Sequence, residues 1–286
     1  MSAGYFKSVF LPIEDGLTLY ARDYPGPSSD APVALCLHGL SRNSRDFEDF
    51  APWLQQTHRV LVPDQRGRGR SQYDPNSDRY LPQNYIVDML ALLDALEVPR
   101  CAVVGTSMGG LMAMGMSAMA PERLTHAVIN DIGPVIAAEG LARIQAVVGS
   151  SMEFANWSEA TDYVQQANEA AFPGYSRADW KRFAARACSQ IGQRVALDYD
   201  PLITAPMKAG GGGIAAEALW PLFDTLRDKP TLLIRGAISD LLDTDCVAEM
   251  RRRHPNMGYL EVPNVGHAPM LDEDGVVPAI VDFLNR

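Results

Sequence analysis

The chain is short of the features that mark several large classes of protein. It has only four cysteines among 286 residues, and no two of them form a Cys-x-x-Cys pair. We therefore expect buried free thiols in a reducing, cytoplasmic setting. No apolar run is long enough to cross a bilayer. Residues 1–16 lack the apolar centre and cleavage site of a signal peptide, so we expect none.

An excess of positive charge is also missing. Asp and Glu number 35 against 25 Lys and Arg, which gives a net charge of -10 at pH 7. This balance argues against a nucleic-acid partner or an anionic membrane surface. We expect a small-molecule substrate instead, and the composition does not predict an oligomeric state.

A strand, a tight turn and a helix are predicted in succession over residues 100–119. An apolar run leads into Gly105-x-Ser107-x-Gly109, and a Met- and Ala-rich segment follows. This is the context that a nucleophile elbow requires, because the sharp turn exposes the Ser107 hydroxyl. A Cβ two positions before or after that serine would clash, and glycine at both positions removes the clash. The following helix directs its N-terminal N–H groups toward Ser107, so the Met108 N–H can face a developing oxyanion.

A serine nucleophile needs a base, and the chain offers five histidines. His267 is the favoured base, because it follows the last predicted strand in a loop between Gly266 and Pro269, at the edge of the sheet where ligands bind. His38 ends an earlier strand and is better placed to shape the oxyanion loop. The other three have less suitable places. His58 precedes a strand, His126 lies in or beside a strand, and His254 ends an arginine-rich helix.

The base needs an acid to orient it, and two strand ends offer one. Asp240 follows the strand after residues 134–213 and is the favoured acid. Asp131 follows the strand after the elbow and is the main alternative, because a carboxylate there could also reach His267. Alternatively, Asp131 is a structural group at the start of the segment that begins at Pro134. Asp243 and Asp245 lie just beyond Asp240.

The oxyanion hole requires two N–H donors, and Met108 supplies one. Leu40 is the natural second donor, because Gly39 lets its loop come close. We expect an apolar pocket and assign His38, Met112 and Trp157 to substrate binding. We expect no metal and no cofactor.

Alternating strands and helices with buried parallel strands predict a doubly wound sheet. The pattern changes from Pro134 to about Gly213, where no clear strand is predicted and helical segments carry many aromatic side chains. We expect a helical cap over the sheet edge, closed by Gly210–Gly213 as a loop or hinge. The predicted boundaries are 1–133 and 216–286 for the core and 134–215 for the cap. The aromatic residues are Phe154, Trp157, Tyr163, Phe172, Tyr175, Trp180 and Phe183.

Five motifs, taken together and in order, resemble those of the α/β-hydrolase superfamily. They are His38-Gly39-Leu40, Asp64-x-Arg66-Gly67-x-Gly69-x-Ser71, Gly105-x-Ser107-x-Gly109, Asp240 and Gly266-His267. The resemblance implies an α/β fold with a mostly parallel eight-stranded sheet flanked by helices, and a cap inserted after the sixth strand. It also implies a set of site residues: nucleophile Ser107, acid Asp240, base His267, and oxyanion donors Leu40 and Met108.

These observations predict a serine hydrolase that needs no cofactor and cleaves small carboxylic esters through an acyl-enzyme. A lactonase or a C–C bond hydrolase could use the same triad. A ligand-binding regulator is a third interpretation, because some proteins that resemble this superfamily keep the triad in a receptor role and a fold does not fix a function.

Overall fold

A computed structural model describes residues 5–208 and 216–286. Its strands, in chain order, are β1 (Lys7–Pro12), β2 (Thr18–Tyr24), β3 (Val33–Leu37), β4 (Arg59–Asp64), β5 (Cys101–Thr106), β6 (Leu124–Asn130), β7 (Glu153–Phe154), β8 (Cys188–Ile191), β9 (Arg194–Leu197), β10 (Thr231–Gly236) and β11 (Gly258–Val262). Its α-helices are α1 (Ala51–Leu54), α2 (Pro82–Ala95), α3 (Met108–Met119), α4 (Ala138–Val147), α5 (Trp157–Asn168), α6 (Arg177–Ala187), α7 (Ala205–Lys208), α8 (Ala216–Asp224), α9 (Thr244–Arg253) and α10 (Val276–Leu284).

Eight strands form the main sheet in the order β1-β2-β4-β3-β5-β6-β10-β11. The pairs from β4 to β11 are parallel, whereas β2 runs antiparallel to both β1 and β4. The structure thus confirms the predicted α/β fold with a mostly parallel eight-stranded sheet. In such a sheet the ligand site lies beyond the carboxyl ends of the strands, where β5 and β6 are neighbours near the centre.

Helices cover both faces of the sheet, so the central strands are apolar on both sides. Alternate residues of β5 belong to two different hydrophobic clusters: Cys101 and Val103 to one, Ala102 and Val104 to the other. Helices α2, α3, α8 and α9 contribute to the first cluster, and α1 and α10 to the second. This double burial explains why β5 is a continuous apolar run rather than an alternating one.

All four cysteines are buried and unpaired, as predicted. Cys36 and Cys101 lie in β3 and β5, where burial raises the pKa of both thiols. Such cysteines behave as small apolar core residues, because the reactive thiolate is disfavoured.

The segment of residues 134–215, here called the insertion, is not purely helical. Helices α4, α5, α6 and α7 lie in it, but β7, β9 and β8 pair into a small antiparallel sheet. The expectation of a segment without strands is therefore wrong. These strands have two to four residues, which is too short to show a period of two. The predicted hinge at Gly210–Gly213 lies outside the described residues.

Polar contacts near the end of α6 connect the insertion to the loop that follows β3. Asn43 Nδ2 donates to the Arg186 carbonyl at 2.9 Å. Arg45 donates to the Cys188 carbonyl at 2.9 Å and to the Asp198 carboxylate at 2.6 Å. These bonds hold the insertion over the carboxyl ends of the strands.

The packing around Gly105 gives a test of the elbow. A Cβ at Gly105 would overlap the backbone of Gly109 and Gly110. We expect Gly105→Ala to lower the free energy of unfolding by about 2 kcal/mol or more, because a well-packed turn cannot absorb the added methyl group. Urea denaturation measures the change. Gly174→Ala is the control, since that Cβ would meet open space. Equal stability of Gly105→Ala and wild type would contradict this packing.

Candidate active site

Ser107 lies in the turn between β5 and α3 with an unusual backbone conformation. Its φ of 53° falls in the left-handed region that non-glycine residues rarely adopt. Serine at a helix N-cap normally accepts a hydrogen bond from the first turn, but Ser107 makes no such capping bond. Its hydroxyl oxygen lies 2.9 Å from His267 Nε2 instead. The turn therefore directs the hydroxyl away from the helix and toward the imidazole.

A second hydrogen bond continues the line from Ser107 through His267. His267 Nδ1 lies 2.8 Å from Asp131 Oδ2. Because a carboxylate accepts, Nδ1 carries the proton and Nε2 is left to accept the Ser107 O–H. Asp131 is fully buried, and it also accepts from the Gly236 N–H at 2.8 Å and the Ser239 hydroxyl at 2.7 Å. These donors hold the carboxylate in one orientation.

The expected acid, Asp240, does not contact His267. Its carboxylate pairs with Arg143 of α4 through two hydrogen bonds, at 2.6 and 2.9 Å, and Arg143 lowers its pKa. The Asp240 carbonyl accepts from the Gly140 N–H at 3.1 Å. Asp240 is therefore turned toward the insertion, and the neighbouring Ser239 faces Asp131. The structure corrects the assignment of the orienting acid to Asp131, the alternative that the sequence left open.

Strand order explains why Asp131 reaches His267. In the β5–β6 ladder Thr106 lies opposite Asn130, so Ser107 and Asp131 are the next residues on adjacent strands. The Ser107 N–H donates to the Asn130 carbonyl at 2.9 Å. Asp240 follows β10, which is two strands from β5. With neighbouring strands about 4.8 Å apart, the carboxyl end of β10 lies about 10 Å from that of β5.

Two backbone N–H groups lie in the segments next to Ser107, and Leu40 lines the same cavity as Ser107. Met108 begins α3, where an N–H has no partner within the helix. Leu40 follows Gly39 in the loop after β3. Within residues 5–208 and 216–286, neither N–H donates to another protein group. Both remain able to bind an oxygen next to Ser107.

His38 fixes the peptide group that carries the Leu40 N–H. Its Nε2 accepts from the Gln65 N–H at 3.0 Å, so its proton lies on Nδ1. Nδ1 donates to the Gly39 carbonyl at 2.7 Å. That carbonyl and the Leu40 N–H belong to one planar trans peptide and point in opposite directions. The imidazole therefore turns this N–H away from itself, and complete burial lowers the pKa of His38 to about 4.

A cavity of about 160 Å³ lies between this edge of the sheet and the insertion. Its core side includes Leu40, Ser107, His267 and Met270, and its insertion side includes Ile144, Val148, Tyr163, Phe172, Phe183 and Leu197. Most of these side chains are apolar, so the cavity suits a small and largely apolar group. Tyr163, Phe172 and Phe183 are among the aromatic residues that the sequence placed in the insertion.

None of the three residues expected to bind substrate lines this cavity. His38 is fully buried behind the loop that carries Leu40. Met112 is fully buried on the core side of α3. Trp157 begins α5 and is 40% exposed. These assignments are corrected, because residue type alone does not show whether a side chain on a helix faces a cavity, the core or solvent.

Sequence reasoning missed two polar residues that support the site. Ser239 donates to Asp131, as described above. Asn130 is fully buried, and its Nδ2 donates to Thr106 Oγ1 at 3.0 Å and to the Pro269 carbonyl at 2.8 Å. It therefore links the turn before Ser107 to the loop that carries His267. Nothing in their spacing distinguished these residues from ordinary loop and strand-end residues.

Neither a metal-binding cluster nor a membrane-spanning helix is present among the described residues. No group of three or more His, Cys, Asp or Glu side chains within 5–208 and 216–286 is arranged to hold a metal ion. In the same residues, no helix combines the length and apolar character needed to cross a membrane.

Comparisons with known proteins identify the family and agree with the fold. Residues 34–279 match the model of the alpha/beta hydrolase family. A 3-hydroxybutyrate-oligomer hydrolase from Cupriavidus necator is 36% identical, and the match covers 91% of this chain and 90% of the relative. A 2-(acetamidomethylene)succinate hydrolase from Mesorhizobium japonicum is 26% identical over 94% and 92%. A crystal structure of an alpha/beta hydrolase from Novosphingobium aromaticivorans has a TM-score of 0.93 and 38% identity, over 100% and 99% of the two chains.

The burial of His38 predicts a pH dependence of stability. Its pKa is about 4 in the folded chain and 6.5 ordinarily. Between these values the unfolded chain binds a proton that the folded chain does not, so the free energy of unfolding falls as the pH is lowered from 6.5 to 4. Over this interval, His38 lowers the free energy of unfolding by about 3 kcal/mol.

Urea denaturation of wild type and His38→Gln at pH 7.5 and pH 4 measures this contribution. We expect the variant to lose less stability than wild type over this interval, while the other titrating groups contribute equally to both proteins. An equal loss in the two proteins would show that His38 is not held neutral by the fold.

Proposed function

Because the chain belongs to the alpha/beta hydrolase family, we propose that it is a serine hydrolase that cleaves carboxylic esters. Ser107 is the nucleophile, His267 is the general base, and Asp131 orients the imidazole. The observation that carries the proposal is the hydrogen-bonded line Ser107–His267–Asp131, with bonds of 2.9 and 2.8 Å. Its geometry is what a Ser-His-Asp triad requires.

The reaction begins when His267 Nε2 takes the Ser107 proton and the Ser107 oxygen attacks the ester carbonyl. The carbonyl oxygen becomes an oxyanion, which the Leu40 and Met108 N–H groups stabilise. The intermediate then expels the alcohol oxygen, which receives the proton from His267, and an acyl-enzyme remains. Water gives a proton to His267 and attacks the acyl-enzyme, and the second intermediate releases the acid and returns the proton to Ser107.

Asp131 keeps His267 in the tautomer that this sequence of steps needs. Its negative charge also stabilises the imidazolium that forms in each half-reaction. The N–H of Gly236 and the hydroxyl of Ser239 keep the carboxylate in one orientation, so little reorganisation accompanies proton transfer.

Short hydroxyacyl oligoesters are the substrate class that we propose. Two observations support this choice: a cavity of about 160 Å³ with mainly apolar walls, and the 36% identical relative named for 3-hydroxybutyrate oligomers. We also propose that the insertion is a cap of residues 134–215 that excludes water from the cavity. The four buried free cysteines support a reducing, cytoplasmic location.

Removing the nucleophile tests the mechanism. We expect Ser107→Ala to lower kcat/KM by about 10⁴-fold or more, because no other group can form the acyl-enzyme. Release of p-nitrophenol from an acetate-to-decanoate ester series, and cleavage of 3-hydroxybutyrate dimers and trimers, give the rates. Ser117→Ala on the same helix is the control, since its hydroxyl donates to the Thr225 carbonyl at 3.2 Å and not to a residue of the proposed triad.

Activity of Ser107→Ala equal to wild type would contradict the mechanism. A folded wild type that leaves every ester intact would contradict ester hydrolysis, and the same preparation would then be assayed on lactones and vinylogous diketones.

Two acid variants distinguish the orienting residue. We expect Asp131→Asn to lower kcat by about 10³- to 10⁴-fold, because the amide favours the wrong tautomer of His267. Asp240→Asn should lower kcat less than about tenfold, since it breaks an ion pair that is a quarter exposed. A larger loss in Asp240→Asn than in Asp131→Asn would restore Asp240 as the acid.

A further inference from the structure

A buried arginine lies directly behind the two proposed oxyanion donors. Arg68 is fully buried. Its Nε donates to the Leu40 carbonyl at 2.9 Å, and its Nη2 lies 4.0 Å from Met108 Sδ. One guanidinium therefore contacts both residues that are proposed as oxyanion donors.

Arg68 differs from its neighbour Arg66 in how its charge is compensated. Arg66 is also buried, and it pairs with three carboxylates: Asp15, Asp74 and Asp88. Within residues 5–208 and 216–286, Arg68 forms no ion pair. Its other partners include the Arg66 carbonyl at 2.7 Å and the ring of Tyr85, with a distance of 4.7 Å to the ring centroid.

The phenol of Tyr80 separates the charge of Arg68 from the Asp200 carboxylate. The guanidinium lies 5.7 Å from the centroid of the Tyr80 ring, and the Tyr80 hydroxyl donates to Asp200 at 2.6 Å. A cation buried without a paired carboxylate is expensive to desolvate. Tyrosine rings and carbonyl oxygens offset part of that penalty, and the positive field still extends toward the oxyanion loop.

The effect of this field is visible at the other side of the loop. Burial is the main cause of the lowered pKa of His38, and the positive charge of Arg68 lowers it further. The same charge that disfavours a second cation beside Gly39 favours an anion next to Leu40.

We propose that Arg68 is a positioning residue for the oxyanion hole, which it orients through the Leu40 carbonyl and whose anion its charge stabilises. The inference rests on the proposed ester hydrolysis at Ser107. Negative charge on the substrate oxygen exists only in the tetrahedral intermediate and the transition states around it. Arg68 therefore acts on kcat and leaves substrate binding unchanged.

Three variants and two readouts test this role. Arg68→Gln removes the charge but keeps a side-chain donor, and Arg68→Lys keeps the charge. Arg70→Met is the control, because Arg70 belongs to the same turn but is exposed, with its guanidinium over the rings of Phe10 and Tyr20. The readouts are kcat and KM for a p-nitrophenyl ester, normalised to active sites titrated with a fluorophosphonate, and Ki for an aryl boronic acid. The boronic acid forms an anionic tetrahedral adduct on the serine.

We expect Arg68→Gln to lower kcat per active site by about 10- to 100-fold, less than the loss of a direct oxyanion donor. KM should stay within twofold, and Ki for the boronic acid should rise by the same factor as kcat falls. Arg68→Lys should recover much of the loss, and Arg70→Met should match wild type.

A purely structural role has a different outcome. Arg68→Gln would then give fewer titratable sites, each with the wild-type kcat and Ki, which would overturn the inference. If Arg68→Gln does not fold, Arg68→Lys decides: a fall in kcat with an unchanged Ki contradicts the inference, and parallel changes support it. Wild type that neither hydrolyses the ester nor binds the boronic acid would overturn the proposed function itself. Wild-type behaviour in Arg68→Gln would overturn only the role of Arg68.

Discussion

The sharp turn at Ser107 is the constraint on which the rest of the site depends. A left-handed φ of 53° on a non-glycine residue costs of order 1–3 kcal/mol, so the surrounding structure must hold it. Gly105 and Gly109 make the space for the turn, and the bond from the Ser107 N–H to the Asn130 carbonyl ties it to β6. The turn separates the hydroxyl, which meets His267, from the helix N-terminus, which presents the Met108 N–H.

The polar groups around this turn are organised by the neighbouring strands. β6 ends at Asn130, Asp131 follows it, and these two side chains hold the two halves of the site together. Asp131 bonds to His267, and Asn130 bonds to the Pro269 carbonyl in the same loop and to Thr106 beside the serine. On the other side of β5, the loop after β3 supplies the Leu40 N–H, held from behind by His38. The geometry of the site is thus set by three adjacent strands, β3, β5 and β6.

Sequence reasoning found the parts of this arrangement that depend on local sterics. Gly105-x-Ser107-x-Gly109 between a strand and a helix predicted the turn that the structure contains, and the order of the loops brought His267 to Ser107 as expected. It ranked Asp240 above Asp131 as the acid, assigned to substrate binding three residues that do not line the cavity, and missed the strands of the insertion. Asp131 and Asp240 each follow a buried strand, so their local patterns are equivalent. Met112 lies in a helix that is apolar except for Ser117, so composition does not distinguish the face toward the core from a face toward a ligand.

The sequence by itself determined the class of fold, the position of the elbow, the histidine that meets it and the backbone groups beside it, because periodicity and glycine sterics act over a few neighbouring residues. Only the tertiary structure decided which carboxylate reaches His267, because that depends on β6 lying next to β5 and on Arg143 of the insertion holding Asp240. Only the tertiary structure placed Arg68 behind Leu40 and Met108. These contacts join residues that are 28 to 136 positions apart, and no local pattern in the chain encodes a distance between them.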